Sequence, residues 1–180
     1  LEKAVAAKPN DKQAYFLLGM AFLTTGNESK AEAHLNKVIQ LDPAIADPHY
    51  HVGRMAYSRG DSGAAKQHLG KYLELRGAGS YAADAHFMLG FVAMREAQGQ
   101  EDASAIHKAA KAHLEKGLEL KPNAPQSPQA HYLLGIVAEA NEDTESAIAH
   151  FEKYLRLEPE GPQAEEIKKF LKDLKESEAG

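Results

Sequence analysis

The 180-residue chain contains no cysteine and no tryptophan. The missing thiols exclude disulfides, cysteine-ligated zinc and thiol nucleophiles together. Positive charge is also in deficit. Lys and Arg number 21 against 26 Asp and Glu, a net charge of -5, and such a chain has no basic surplus to neutralise a phosphate backbone. Nucleic acid is therefore not an expected partner. No apolar run approaches the roughly 20 residues of a membrane span. Phosphate-binding glycine loops, His-Glu-x-x-His and nucleophile elbows are all missing, so no catalytic residue, no cofactor and no metal is expected, and the chain is not read as an enzyme. What remains is 43% hydrophobic and 26% charged residues with 14 Gly and 8 Pro, an ordinary globular composition. That composition suits the cytoplasm and the bacterial periplasm alike.

The chain repeats itself. Leu18-Gly19, Val52-Gly53, Leu89-Gly90 and Leu134-Gly135 recur with glycine separations of 34, 37 and 45 residues. Ala31-x3-Leu35, Ala65-x3-Leu69, Ala110-x3-Leu114 and Ala147-x3-Phe151 follow these glycines by 12, 12, 20 and 12 residues, so the third unit holds an internal insertion of 8. Excesses of 3 residues fall between units, at Ser80-Tyr81-Ala82 and Pro125-Gln126-Ser127. Apolar residues such as Ala14, Leu17, Leu18, Ala21 and Phe22, then Ala31, Leu35, Val38 and Leu41, recur at helical spacing. Gly26-Asn27, Gly60-Asp61 and Glu142-Asp143 supply turns between the two helices of a unit. Leu41-Asp42-Pro43, Leu120-Lys121-Pro122 and Leu157-Glu158-Pro159 stop the second helices, because proline has no N–H to donate and restricts the residue before it.

A helix-turn-helix of 34 residues with Leu-Gly, an alanine, an aromatic and a closing proline resembles the tetratricopeptide repeat family, over nearly the whole chain. One departure is the tryptophan that often opens the family's first helix; Tyr15, His49, His86 and His131 stand there. The resemblance implies an all-α, right-handed α-α superhelix, a solenoid of tandem units with a C-terminal capping helix. The units span 12–45, 46–79, 83–124 and 128–161, preceded by the end of a truncated repeat over 1–11 and followed by a cap over 162–180. Leu1-Glu2-Lys3-Ala4 and Lys8-Pro9 fit the end of a second helix, so the chain is expected to begin inside a fifth repeat of a longer protein. In the cap, Ile167, Phe170, Leu171 and Leu174 form a stripe opposed by Lys168, Lys169, Asp173 and Lys175.

The resemblance places the first helix of each unit on a concave surface. Phe16, Met20 and Leu23, then Tyr50, Arg54 and Tyr57, then Phe87, Phe91 and Met94, then Tyr132, Ile136 and Glu139 lie on the side away from the Leu-Gly contact. Aromatics with Met and Arg are what interfaces favour. The expected function is a scaffold or adaptor that receives a partner peptide or helix in this apolar groove, with Phe87 and Phe91 as leading anchors. The alternative is a self-associating structural module of a larger assembly, such as a bacterial envelope or secretion complex, with copies joined through the groove or the open N-terminal repeat. Some family members clamp acidic chaperone tails with Lys, Asn and Arg; Phe16, Met20, His51, Asp84 and Met88 stand at those positions and do not match.

His34, His68, His113 and His150 recur at one position of the second helices. Residues a repeat apart lie too far from one another to share a zinc at about 2.1 Å, while His49 with His68, or His131 with His150, can approach across a helix pair. Two ligands do not make a metal site, and partly exposed structural histidines beside Tyr72 and Tyr154 are expected. Gly77-Ala78-Gly79-Ser80-Tyr81-Ala82 fits G-x-G-x-x-A but follows a helix, not a strand, and reads as a flexible joint. The insertion between Ala97 and Ala109 is expected to lengthen both helices of the third unit by about one turn each.

Overall fold

A computed structural model describes residues 8–178. Among them are nine helices and no strand. They are α1 (Lys12–Thr24), α2 (Glu28–Leu41), α3 (Ala46–Arg59), α4 (Ser62–Arg76), α5 (Ala82–Ala97), α6 (Ser104–Leu120), α7 (Ser127–Ala140), α8 (Thr144–Leu157) and α9 (Ala164–Glu178). The opening residues expected to end a truncated repeat lie mostly outside the described residues. The chain divides into two compact units, Leu1–Val92 and Ala93–Gly180.

Local chemistry sets the helix ends. Asp11, Asn27, Asp61 and Asp143 each accept a hydrogen bond from the backbone N–H three residues on, satisfying a donor that the first turn leaves open. Before three of these caps the chain reverses through a left-handed residue: Gly26 at φ 73°, Gly60 at φ 81° and Glu142 at φ 59°. At the other ends, Asp42, Lys121 and Glu158 are extended, at φ -158°, -143° and -136°, because the following proline excludes the helical region. The helices stop there.

In the first unit, Leu35, Val52 and Met55 form one apolar cluster and Tyr50, Leu69, Tyr72, Leu89 and Val92 another. The repeated glycines let the hairpins close. A methyl group at Gly19 would sit 2.7 Å from Leu35 Cγ, and one at Gly53 2.8 Å from Leu69 Cγ and 2.9 Å from its backbone nitrogen. Any side chain there would force the helices apart. In the second unit the ring of Phe151 occupies the space a Gly135 side chain would need, and Phe151, Tyr154, Ala164 and Ile167 form the core. Helix α9 covers that core as a cap, with Ile167 buried, Phe170 and Leu171 half-buried, and Lys168 paired to Glu165 at 2.8 Å on its outer side.

The insertion is shared more widely than expected. Helices α5 and α6 have 16 and 17 residues against 13 to 15 elsewhere in the hairpins, and the rest of the insertion lengthens the loop around Gly99. The gain is less than a turn per helix. The joint at Gly77 to Ala82 is likewise a closed turn rather than a free linker. Gly79 N–H donates to Arg76 O, Ala82 N–H donates to Gly79 O, and Tyr81 N–H donates to the Tyr72 hydroxyl at 3.1 Å. The second unit repeats this device: Tyr154 receives the Gln163 N–H at 3.2 Å and donates to Gln163 Oε1 at 2.8 Å. In both joints a glycine seven residues after the tyrosine leaves room for the hydroxyl.

Candidate partner-binding site

The ring positions of the first unit are largely committed to packing. Tyr50 is 5% exposed, stacked on Tyr81 with centroids 4.1 Å apart, and burial with nearby Asp84 pushes its hydroxyl up to about 12. Phe16 and Tyr57 are half-buried against the two apolar clusters. Phe87 has no exposed surface. This corrects its expected place as a leading anchor: a ring that no solvent reaches supports the surface from behind and is not offered to a partner. Phe91, stacked on Phe87 at 6.3 Å, is half-exposed, as is Met20, and Arg54 is exposed. Met94, in the second unit, is buried.

Tyr132 and Ile136 are placed differently. Both lie along α7 facing α9, and with Phe151, Ile167 and Phe170 they line an open cleft of about 240 Å³ in the second unit. Tyr132 rests against Phe151 and Tyr154 with centroids at 6.3 and 6.0 Å, and Phe170 meets Phe151 edge-on at 5.2 Å. Three carboxylates, Glu139, Glu166 and Asp173, and one cation, Lys169, stand around this apolar floor. Burial, then Glu166 and Glu139, holds the Tyr132 hydroxyl above its usual range. The cleft therefore offers an apolar socket with a net negative rim. Helical phase alone places Tyr132, Ile136 and Glu139 on this face, whereas the wall supplied by the cap depends on how α9 packs.

The corner left without tryptophan is filled by ring pairs. His34 stacks on Phe22 at 5.4 Å and meets Tyr15 at 5.8 Å. His49 and His68 approach Nδ1 to Nδ1 at 3.1 Å, and His131 and His150 do the same at 3.1 Å. These second-helix histidines thus pair across their own hairpins. The His49 tautomer follows from its partners. Pro43 O, 3.2 Å from Nε2, only accepts, so Nε2 carries the proton, Nδ1 accepts, and His68 donates from its Nδ1. Burial lowers all four of these histidines, and His131 falls to about 4. No group of three potential metal ligands occurs among the described residues.

His51 lies elsewhere, 6% exposed, with Tyr50 and Tyr81 edge-on at 5.2 and 5.4 Å and Nδ1 without a hydrogen-bond partner. Burial, reinforced by Arg54, brings it down to about 4. It is a neutral residue packed among rings.

Antiparallel helical hairpins in tandem, closed by contacts of a glycine with Leu35, Leu69 or Phe151 and ending on an amphipathic cap, define the chain as a helical-repeat scaffold of the protein-interaction class. Tetratricopeptide repeat profiles match residues 12–45 and 103–164, and the chain belongs to the tetratricopeptide repeat family. Its fold is similar to that of crystalline MamA, at 25% identity and a TM-score of 0.68 over 88% of this chain and 84% of that one. It is similar also to MamA from Desulfovibrio magneticus RS-1, at 21% identity and a TM-score of 0.63 over 88% and 81% of the two chains. PilF of Pseudomonas aeruginosa is 23% identical with a TM-score of 0.64, over 94% of this chain and 72% of that one. No curated protein matches the chain in sequence. No helix among the described residues is long and apolar enough to cross a membrane.

Proposed function

We propose that this scaffold captures a partner peptide or helix through the first-helix faces, with the cleft between α7 and α9 taking an apolar side chain. The supporting observation is the cleft itself: an open socket of about 240 Å³ floored by Tyr132, Ile136 and Phe170 and rimmed by three carboxylates. Sockets of this kind, apolar at the centre and polar at the edge, are where interfaces concentrate their energy. The rim selects a segment whose apolar anchor is flanked by Lys or Arg, since a carboxylate-bearing segment would meet like charge. Within the first unit, Phe91, Met20 and Arg54 are the first-helix positions left open to a partner, as a surface of that unit by itself.

Selection from a displayed library of helical and extended peptides tests this reading, with each winner measured against Ile136→Glu and against Glu152→Ala on the exposed side of α8. Winners with an apolar-basic signature that lose affinity only in Ile136→Glu support it. Winners indifferent to Ile136→Glu overturn it, and a particle mass that grows with concentration and stops growing in that variant favours self-association instead.

A further inference from the structure

The His131–His150 pair belongs to a second site, away from the α7–α9 cleft and independent of the function proposed for it. A pocket of about 420 Å³ opens where the end of α6, the loop at Pro122 and Asn123, the start of α7 and the end of α8 meet. His131, Asn123, Lys153 and Arg156 supply its polar groups, and Leu118 and Leu157 its apolar wall.

The first unit contains the same arrangement in a closed form. There His49 Nε2 donates to Pro43 O at 3.2 Å, and the residues corresponding to Lys153 and Arg156 are Lys71 and Glu74, paired to each other at 2.8 Å. The second unit departs at both points. The connection before α7, residues 121–126, is two residues longer than the one before α3, residues 42–45, and no carbonyl reaches His131, whose Nε2 has no hydrogen-bond partner among the described residues. Arg156 replaces the glutamate, so Lys153 and Arg156 form no ion pair among the described residues and both bear on His131. Two cations, an imidazole donor and a carboxamide converge on one pocket. The pocket lining holds no carboxylate, and an anion seated there would relieve the self-repulsion of that set.

We propose that this pocket binds an oxyanion, a phosphoryl or carboxylate group carried on a short apolar body. Arg156 and Lys153 hold the charge, His131 Nε2–H and the Asn123 amide donate to the remaining oxygens, and Leu118 and Leu157 take the apolar part. With the anion in place, His131 donates from Nε2, accepts at Nδ1 and fixes His150 as the Nδ1–H tautomer, as Pro43 fixes the pair in the first unit.

The test is a titration of the full chain with inorganic phosphate, and separately with butyrate, at fixed ionic strength and pH 7, following each histidine ring by nuclear magnetic resonance. His131 is expected to shift saturably and its pKa to rise, while His49 stays still as the internal reference. Arg156→Glu, which reproduces the Lys71–Glu74 arrangement and should leave the fold intact, is expected to weaken the response about tenfold or more, the loss of one charge-assisted hydrogen bond. Tighter phosphate identifies a phosphoryl ligand, and tighter butyrate a carboxylate on an apolar chain. A His131 response no larger than that of His49, or equal in Arg156→Glu, overturns the site.

Discussion

Acidification from pH 7 to pH 5 should destabilise this chain well before its carboxylates protonate. His51 and His131 titrate at about 4 in the folded protein, chiefly because burial disfavours the imidazolium. Unfolded, each returns to near 6.5. Between those values the unfolded chain binds more protons than the folded one, so stability is full above pH 6.5 and falls as the pH drops toward 4. For His51, 6% exposed among aromatic rings, the loss between pH 7 and pH 5 is about 2 kcal/mol. His131 is more open to water, and screening reduces its share to about 1 kcal/mol. His49, His68, His113 and His150 are lowered as well and act in the same direction. The lowered carboxylates Asp42, Asp102 and Asp143 contribute only below about pH 4, outside this window. A loss of about 3 kcal/mol lowers the melting temperature of a chain this size by about 6–12 °C. Melting by circular dichroism at pH 7, 6 and 5 measures it, with His51→Leu as the diagnostic variant: the leucine fills the ring pocket and should remove about 2 kcal/mol of the dependence. A transition that stays flat from pH 7 to pH 5, or a His51→Leu protein with the parent's slope, would refute the reasoning.

Other expectations follow from packing. Gly53→Ala places a methyl group 2.8 Å from Leu69 Cγ and should destabilise by about 1–2 kcal/mol despite the better helix former, whereas Gly70→Ala, with nothing within 4 Å, should stabilise by about 1 kcal/mol; urea melts of the two give opposite signs. Glu142 holds a left-handed conformation at φ 59° where Gly26 and Gly60 stand in other units, so Glu142→Gly should gain about 1 kcal/mol, read by the same melts. Removing the hydroxyl in Tyr72→Phe strands the Tyr81 N–H and should cost about 1 kcal/mol, and Tyr154→Phe more, because that hydroxyl bonds Gln163 twice; amide exchange at Tyr81 and Gln163 should quicken in step.

The fold was legible because it is written redundantly. Three Leu-Gly pairs and one Val-Gly pair, four alanine contacts and three closing prolines each report the same period, and any one missing element is recovered from the rest. The turns were legible for a similar reason, since Gly26-Asn27, Gly60-Asp61 and Glu142-Asp143 combine a left-handed residue with an N-cap. The binding surface was legible only by helix face. Helical phase puts Phe87 and Tyr132 at the same position, yet Phe87 is wholly buried and Tyr132 lines an open cleft, because what covers a residue comes from other elements. The tyrosine latches at Tyr72 and Tyr154 were missed. Their signal was present as a glycine seven residues after each tyrosine, but that spacing gains meaning only once the joint is seen to fold back on the hydroxyl. The pocket beside His131 borders the connection before α7, whose extra length counted only as an irregularity in the period.

Because the chain has no cysteine, one introduced thiol gives a single labelling site, and this makes the central claim directly measurable. A photo-crosslinker attached at Glu139→Cys, on the rim of the α7–α9 cleft, is compared with one at Glu152→Cys on the exposed side of α8, each in the presence of a selected binding peptide. Efficient crosslinking is expected from position 139 alone, to the apolar residue of the peptide that a neighbouring Lys or Arg flanks. Equal crosslinking from both positions, or crosslinking from position 152 only, would contradict it.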